Sequence, residues 1–301
     1  MTLQDRIVLG TVQLGLPYGT RRSAPAMSEA DAFRILDAAW ALGVRAFDTA
    51  EAYGASAARL QDWATGRGRL GLAEVVTKCA VGPPAPRLAE IERAARAALA
   101  RFEGARSRVL LSHGFLSADL WPAMLAAVEG SEAVAGQSVY GPEEVASACA
   151  LEGIGRVQAP GNVLDRRSLA ARGTTVVPLD IRSVYLQGVL LELPESAERR
   201  APGVSGVAAS LQSAAAEIGV ELAPLLLASV LQLIGDEDRV IVGVDHENQL
   251  AAVGMAMEMP PEKLAQFQEL TRHEYHIRHL AEDPSRSRIL DPRTWPDELD
   301  R

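Results

Sequence analysis

The chain has 301 residues, 48% of them hydrophobic, and a formal net charge of -9. That length and apolar content suit one large barrel domain or two smaller domains. An acidic balance without any run of Lys and Arg excludes the clustered positive charge that a nucleic-acid or anionic-membrane surface needs, and leaves a small molecule as the expected partner.

In chain order, strand-like and helix-like segments alternate. Arg6 to Leu9 (RIVL) is the first strand candidate, and Ser28 to Leu42 (SEADAFRILDAAWAL) has apolar residues at helical spacing behind a capping serine. Strand candidates follow at Val44 to Phe47, Glu74 to Thr77, Arg108 to Ser112, Ala133 to Gln137, Arg156 to Gln158, Thr174 to Leu179 and Arg239 to Val242. Between them the helical period returns at Ala57 to Thr65, Leu88 to Phe102, Ala118 to Glu129, Pro142 to Leu151, Val207 to Ile218 and Ala223 to Ile234. Leu191 to Gly206 (LELPESAERRAPGVSG) is rich in Pro, Gly and charge and reads as a long irregular loop. Residues 272–301 read as a polar C-terminal extension on a single domain spanning 1–301. The N-terminus lacks a basic region followed by an apolar run, and no stretch approaches the ~20 apolar residues of a membrane span. Cys79 and Cys149 have neither disulfide-framework nor metal-site spacing, which fits a reducing cytoplasm.

Strand and helix in alternation mean a parallel sheet with right-handed crossovers, and eight such units close into an α/β fold of the (β/α)8 TIM-barrel kind. A doubly wound open sheet shares the pattern. Its dinucleotide-binding form would carry GxGxxG after a strand, which this sequence lacks, as it lacks GxxxxGK[ST].

Four polar residues stand at or just beyond strand ends: Asp48 after VRAF, Tyr53 five residues on, Lys78 after EVVT and His113 after VLLS. In a barrel those ends meet at one mouth. Singly, each has an ordinary structural use, as a packing tyrosine, a solvated lysine or a histidine bonded to a carbonyl. Together they combine an acid, a phenol, a cation and an imidazole.

The segments that hold them, FDTAEAYG, VVTKCA and LLSHGF between Phe47 and Phe115, resemble the three catalytic motifs of the aldo-keto reductase superfamily. LGTVQLGLPYG, VQAPGNVLDRR, RSVYLQGVLL and VIVGVDHENQL resemble other family segments in the right order, and the likeness is closest to bacterial members associated with sugar and sialic-acid-like biosynthesis. The resemblance implies an NAD(P)H-dependent oxidoreductase that reduces an aldehyde or ketone, of sugar-derived type, to an alcohol. Hydride addition leaves charge on the carbonyl oxygen, and a phenol, which ordinarily ionises near pH ~10, needs a nearby cation to protonate it. In these terms Tyr53 is the proton donor, Lys78 the cation, Asp48 its partner, and His113 the group that orients the substrate oxygen or assists proton delivery. No metal is required.

For the cofactor, NADP(H) or NAD(H), the resemblance implies Gly10, Thr11, Asp48, Ser138 and Gln158 at the nicotinamide. Arg182, Ser183 and Gln187 would lie along the ribose and pyrophosphate, with Gly243, Val244, Asp245 and Gln249 at the adenosine end. Three departures stand out. GVDHENQL offers Asp245 and Glu247 where relatives grip a 2'-phosphate with Lys or Arg, so a free ribose hydroxyl suits it as well, and the dinucleotide stays open. Gly161 replaces a bulky residue before Asn162, and Arg182 replaces a stacking aromatic. Two other readings remain: a Schiff-base lyase using Lys78, and a non-catalytic cofactor- or partner-binding barrel. His273, His276 and His279 are spaced as a polar helix face rather than a metal site. Oligomeric state and substrate identity are not legible.

Overall fold

The computed structural model describes residues 2–19, 25–80, 87–273 and 288–295. Eight strands, β1 (Ile7–Gly10), β2 (Ala46–Asp48), β3 (Glu74–Cys79), β4 (Ser107–His113), β5 (Val134–Ser138), β6 (Arg156–Pro160), β7 (Leu179–Arg182) and β8 (Arg239–Gly243), form a closed barrel in sequence order. Every neighbouring pair is parallel, including the closing β1–β8 pair. This is the expected (β/α)8 barrel.

The chain divides into two compact units. The first comprises Met1–Pro160, Arg167–Arg182 and Gly235–Leu250, and the second Gly161–Arg166, Ser183–Ile234 and Ala251–Arg301. The first holds all eight strands and helices α1 (Glu29–Ala41), α2 (Ser56–Gly66), α3 (Leu88–Ala100), α4 (Pro122–Val128), α5 (Pro142–Cys149) and α6 (Arg167–Ala171). As expected, Ser28 caps α1, its hydroxyl accepting from the Asp31 amide at 3.1 Å, and Glu29 and Asp31 place negative charge at the helix N-terminus. Cys79, Leu110 and Ala135 point outward and pack with Ile91, Leu99, Trp121 and Met124 of α3 and the α4 region.

Strand side chains alternate, so the opposite parity fills the barrel interior. Its floor is ionic: Arg156 donates to Asp180 at 2.8 Å, and Arg239 donates to both Asp180 oxygens at 2.8 and 2.9 Å. Arg239 also pairs with Glu74, which accepts from Ser107 at 2.8 Å. Above the floor lies an apolar layer of Val8, Ala46 and Ile241 on one side and Val76, Val109 and Leu111 on the other. Asp48 and Lys78 follow two residues beyond Ala46 and Val76 on their strands, at the mouth.

The second unit, described by itself, contains α7 (Pro194–Arg200), α8 (Ser205–Ile218), α9 (Leu222–Leu233) and α11 (Pro261–Leu270), together with α10 (Leu250–Met257) beyond its first residue. The expected irregular loop 191–206 is corrected here, because α7 occupies its middle. Proline at the first helical turn, Glu195 beside it and Arg199 and Arg200 in the last turn suit a short helix, and Arg200 pairs with Glu192 at 2.9 Å. A second correction concerns β7. The β-branched run from Thr174 reads as strand, yet Val176 is 94% exposed and the ladder forms only from Leu179, whose amide donates to Asp238 at 2.8 Å. Propensity marked a strand there that has no partner to pair with. His273 lies in a turn beyond α11, and His276 and His279 lie outside the described residues. Among the described residues no single helix is long and apolar enough to cross a membrane.

Candidate active site

The barrel mouth is built around a buried ion pair. Lys78 is 0% exposed, and its ammonium donates to both oxygens of Asp48, each at 2.6 Å, and to the Thr49 carbonyl at 3.3 Å. Register explains the meeting: Asp48 pairs with Val76, so Lys78 projects inward one step higher on the adjacent strand. Burial pushes the ammonium toward the neutral form, but the Asp48 carboxylate, then Tyr53, more than offset this, and Lys78 is held above the usual lysine range. It remains a cation.

Tyr53 completes the group. Lys78 Nζ lies 5.0 Å from its ring centroid, and the ring meets His113 edge-on at 5.5 Å and 86°. The loop that carries it is locked against the loop after β1. A Cβ on Gly15 would lie 2.0 Å from the Tyr53 carbonyl, and one on Gly54, at φ +58, would lie 2.7 Å from the Gly15 carbonyl. Only glycine permits this approach. Burial first, then the Lys78 charge, push His113 down to about 4, so its imidazole is neutral near pH 7. The four residues expected to act together do meet.

The other expected residues divide by position. Gly10 and Gly243 are register partners at the level of Asp48, and the Gln13 side chain packs over Gly243. Thr11 is fully buried and donates to the Asp48 carbonyl at 2.8 Å, tying β1 to β2. Gln158 donates to Asp48 Oδ2 at 2.8 Å and accepts from Ser138 at 3.1 Å. Arg182 stacks on Tyr140, its Cζ 4.2 Å from the ring centroid, and donates to the Val139 carbonyl at 3.0 Å. Val244 is buried, and the Asp245 amide donates to Gln249 Oε1 at 2.7 Å, which closes the turn after β8. Ser183 and Gln187 belong to the second unit, where both adopt left-handed backbone, at φ 65 and 54, as does Leu186 between them. Three non-glycine residues so placed within five positions mark a strained turn.

Two features at this mouth escape sequence reading. Gln13 Oε1 is buried without a hydrogen-bond partner, against the Gly243 backbone. Arg34 of α1 reaches Glu247, Nε to Oε1 3.6 Å, so a cation does approach the segment after β8, although Asp31 and Glu247 both hold it. Asp245, His246 and Glu247 line a cleft of about 320 Å³ with Gln13, Tyr18 and Asp31. Among the described residues no three His, Cys, Asp or Glu side chains gather as metal ligands would.

With this geometry in view, comparison with known proteins is informative. Residues 6–151 match the model of the Aldo/keto reductase family. No curated protein sequence matches the chain. Among solved structures, the glycerol dehydrogenase of Gluconobacter oxydans is similar at 16% identity and a TM-score of 0.69, over 89% of this chain and 92% of that one. An aldo/keto reductase of Klebsiella pneumoniae in complex with NADP and acetate aligns at 18% identity and TM-score 0.60, over 88% and 90%. One from Brucella melitensis aligns at 16% and 0.61, over 88% and 93%. At such identities the structural likeness is one of fold.

Proposed function

We propose that this chain, which belongs to the aldo-keto reductase superfamily and is an NAD(P)H-dependent oxidoreductase, reduces an aldehyde or ketone of polar, sugar-derived type with Tyr53 as the proton donor. The observation that carries this reading is a fully buried lysine, chelated by one carboxylate and 5.0 Å from the ring centroid of one phenol, at the mouth of a barrel.

The residues present fit a nicotinamide dinucleotide. Gly10 and Gly243 stand level with Asp48 at the mouth, and the orphaned Gln13 Oε1, packed over Gly243, offers an acceptor there. Gly10, Thr11, Asp48, Ser138, Gln158 and Arg182 would serve its nicotinamide half, and Gly243, Val244, Asp245 and Gln249 its adenosine. When bound, the cofactor supplies hydride to the carbonyl carbon. The chain's own residues handle the proton. As the carbonyl oxygen gains an electron pair, Tyr53 protonates it and is left as a phenolate, whose charge the nearby Lys78 ammonium balances. Asp48 keeps Lys78 in place, and the neutral His113 orients the oxygen without adding charge.

The Schiff-base reading loses ground on the same geometry, since a lysine nucleophile must be neutral and Lys78 is held protonated by two hydrogen bonds from its ammonium to Asp48. For the dinucleotide, the carboxylates of Asp31, Asp245 and Glu247 favour a free 2'-hydroxyl, and among the described residues Arg34 is the cation that pairs with Asp31 and Glu247. Fluorescence titration with NADPH and, separately, NADH tests the reading together with Tyr53→Phe. Micromolar binding of either, with turnover of an activated aldehyde abolished in the variant, is expected. Binding of neither, or undiminished turnover in Tyr53→Phe, would count against it.

A further inference from the structure

Gln158 is 1% exposed, and both ends of its amide are committed. Its Nε2 donates to Asp48 Oδ2 at 2.8 Å, and its Oε1 accepts from the Ser138 hydroxyl at 3.1 Å, Ser138 being its register partner on β5. The direction of these bonds is fixed by chemistry. An ionised Asp48 can only accept, so turning the amide over would set two acceptors face to face. Ser138 must then be the donor to Oε1. Both bonds point the same way, into the oxygen that also holds Lys78 at 2.6 Å.

We propose that Gln158 and Ser138 are positioning residues of this site: a polarised hydrogen-bond arm from β5 through β6 that fixes the Asp48 carboxylate and sets how much of the Lys78 charge is left for Tyr53. An N–H bond to a carboxylate draws charge from it, and such charge-assisted bonds are stronger than neutral ones. Inside the barrel each bond also polarises the next. A carboxylate shared between Gln158 and Lys78 neutralises the ammonium less completely than one that Lys78 holds alone. Without the amide, Asp48 loses its fixed orientation and takes up more of the lysine's charge, to the cost of the phenol. The catalytic consequence rests on the reading of Tyr53 as the acid; the coupling along the arm does not.

The sequence makes the coupling directly measurable, because it contains only two lysines, Lys78 and Lys263. Protein labelled with nitrogen-15 lysine should give two Nζ signals, assigned with Lys263→Arg, in the absence of substrate and dinucleotide. In Gln158→Leu the Lys78 signal should move while that of Lys263 stays. Ser138→Ala, which contacts neither Asp48 nor Lys78, should move it in the same direction by less, and it carries the test alone if Gln158→Leu does not fold. Gln158→Glu should give a wild-type signal at acid pH, where the introduced carboxyl donates as the amide does, and a displaced one once that carboxyl ionises. A Lys78 signal that is unmoved in folded Gln158→Leu and Ser138→Ala overturns the arm. With 4-nitrobenzaldehyde as probe, Gln158→Leu should lower kcat/KM about tenfold and displace the alkaline limb of its pH profile. A moved Lys78 signal with no turnover by the wild-type protein would refute the reductase reading and leave the arm standing.

Discussion

Asp48→Asn removes the only carboxylate bonded to a lysine that is 0% exposed, and so isolates what the ion pair contributes. An amide oxygen and the Thr49 carbonyl at 3.3 Å would be left to hold a full positive charge. Breaking a buried pair in this way costs about 3–5 kcal/mol. The protein has one escape, releasing the lysine proton, which from an unfolded value near ~10.4 costs about 4.6 kcal/mol at pH 7 and about 1.9 kcal/mol at pH 9. The sign follows from proton counts. In the variant Lys78 drops below its unfolded value, the unfolded chain binds more protons, and stability must rise with pH across that range. In the wild type Lys78 is held above the usual range, so its contribution is level between pH 7 and 9. Urea unfolding at pH 7, 8 and 9 should therefore show a loss that shrinks by up to about 2.7 kcal/mol toward pH 9. Asp48→Asn combined with Lys78→Met, which removes the stranded charge, should recover most of it. A loss below about 1 kcal/mol at pH 7, or one that ignores pH, would refute the account of Lys78 as a buried cation dependent on Asp48.

Three further outcomes follow from the described contacts. Gly15→Ala should cost about 1–3 kcal/mol in denaturant unfolding and most of the turnover, because its Cβ would sit 2.0 Å from the Tyr53 carbonyl and 2.4 Å from the Ser56 amide; wild-type turnover would show that Tyr53 does not depend on the locked loops. His113, pushed down to about 4, contributes stability that is present above its ordinary value near 6.5 and lost as pH falls toward 4, since the unfolded chain accepts a proton that the fold refuses. His113→Gln should flatten the fall in melting temperature over that window, and an unchanged fall would remove His113 as its source. Arg239→Met strips Asp180 of two hydrogen bonds at the barrel floor and should cost about 3–5 kcal/mol by urea unfolding, whereas a change under about 1 kcal/mol would mean that Arg156 alone suffices.

The barrel was legible because each buried parallel strand is a short apolar run and each helix between them has a 3.6-residue period. Where the signal failed, local preference and pairing disagreed. Val176 and Val177 favour strand, but β7 is fixed by the partner residues from Leu179 onward, and a sequence does not display its partners. The helix α7 was hidden because Pro194, Glu195 and two arginines are loop residues by composition and helix-end residues by position. At the site, Asp48, Tyr53, Lys78 and His113 stood out as motif residues at strand ends. The bonds from Gln158 to Asp48 and from Arg34 toward Glu247 did not, since each joins elements far apart in the chain. Glycines 15 and 54 were visible as letters, but their use, a backbone approach between two loops, belongs to three dimensions.

The apolar layer between the ionic floor and the mouth bears on how such a chain can change. Val8, Ala46, Val76, Val109, Leu111 and Ile241 insert a hydrocarbon partition between two sets of charges, with Arg156, Arg239, Asp180 and Glu74 below and Asp48 and Lys78 above. Neither set of hydrogen bonds crosses it. Substitutions at the mouth then leave the hydrogen bonds of the opposite end in place to close the barrel. The partition separates the two sets in bonding but not in charge, since the Asp48 carboxylate is felt by both Asp180 and Arg239 beneath it.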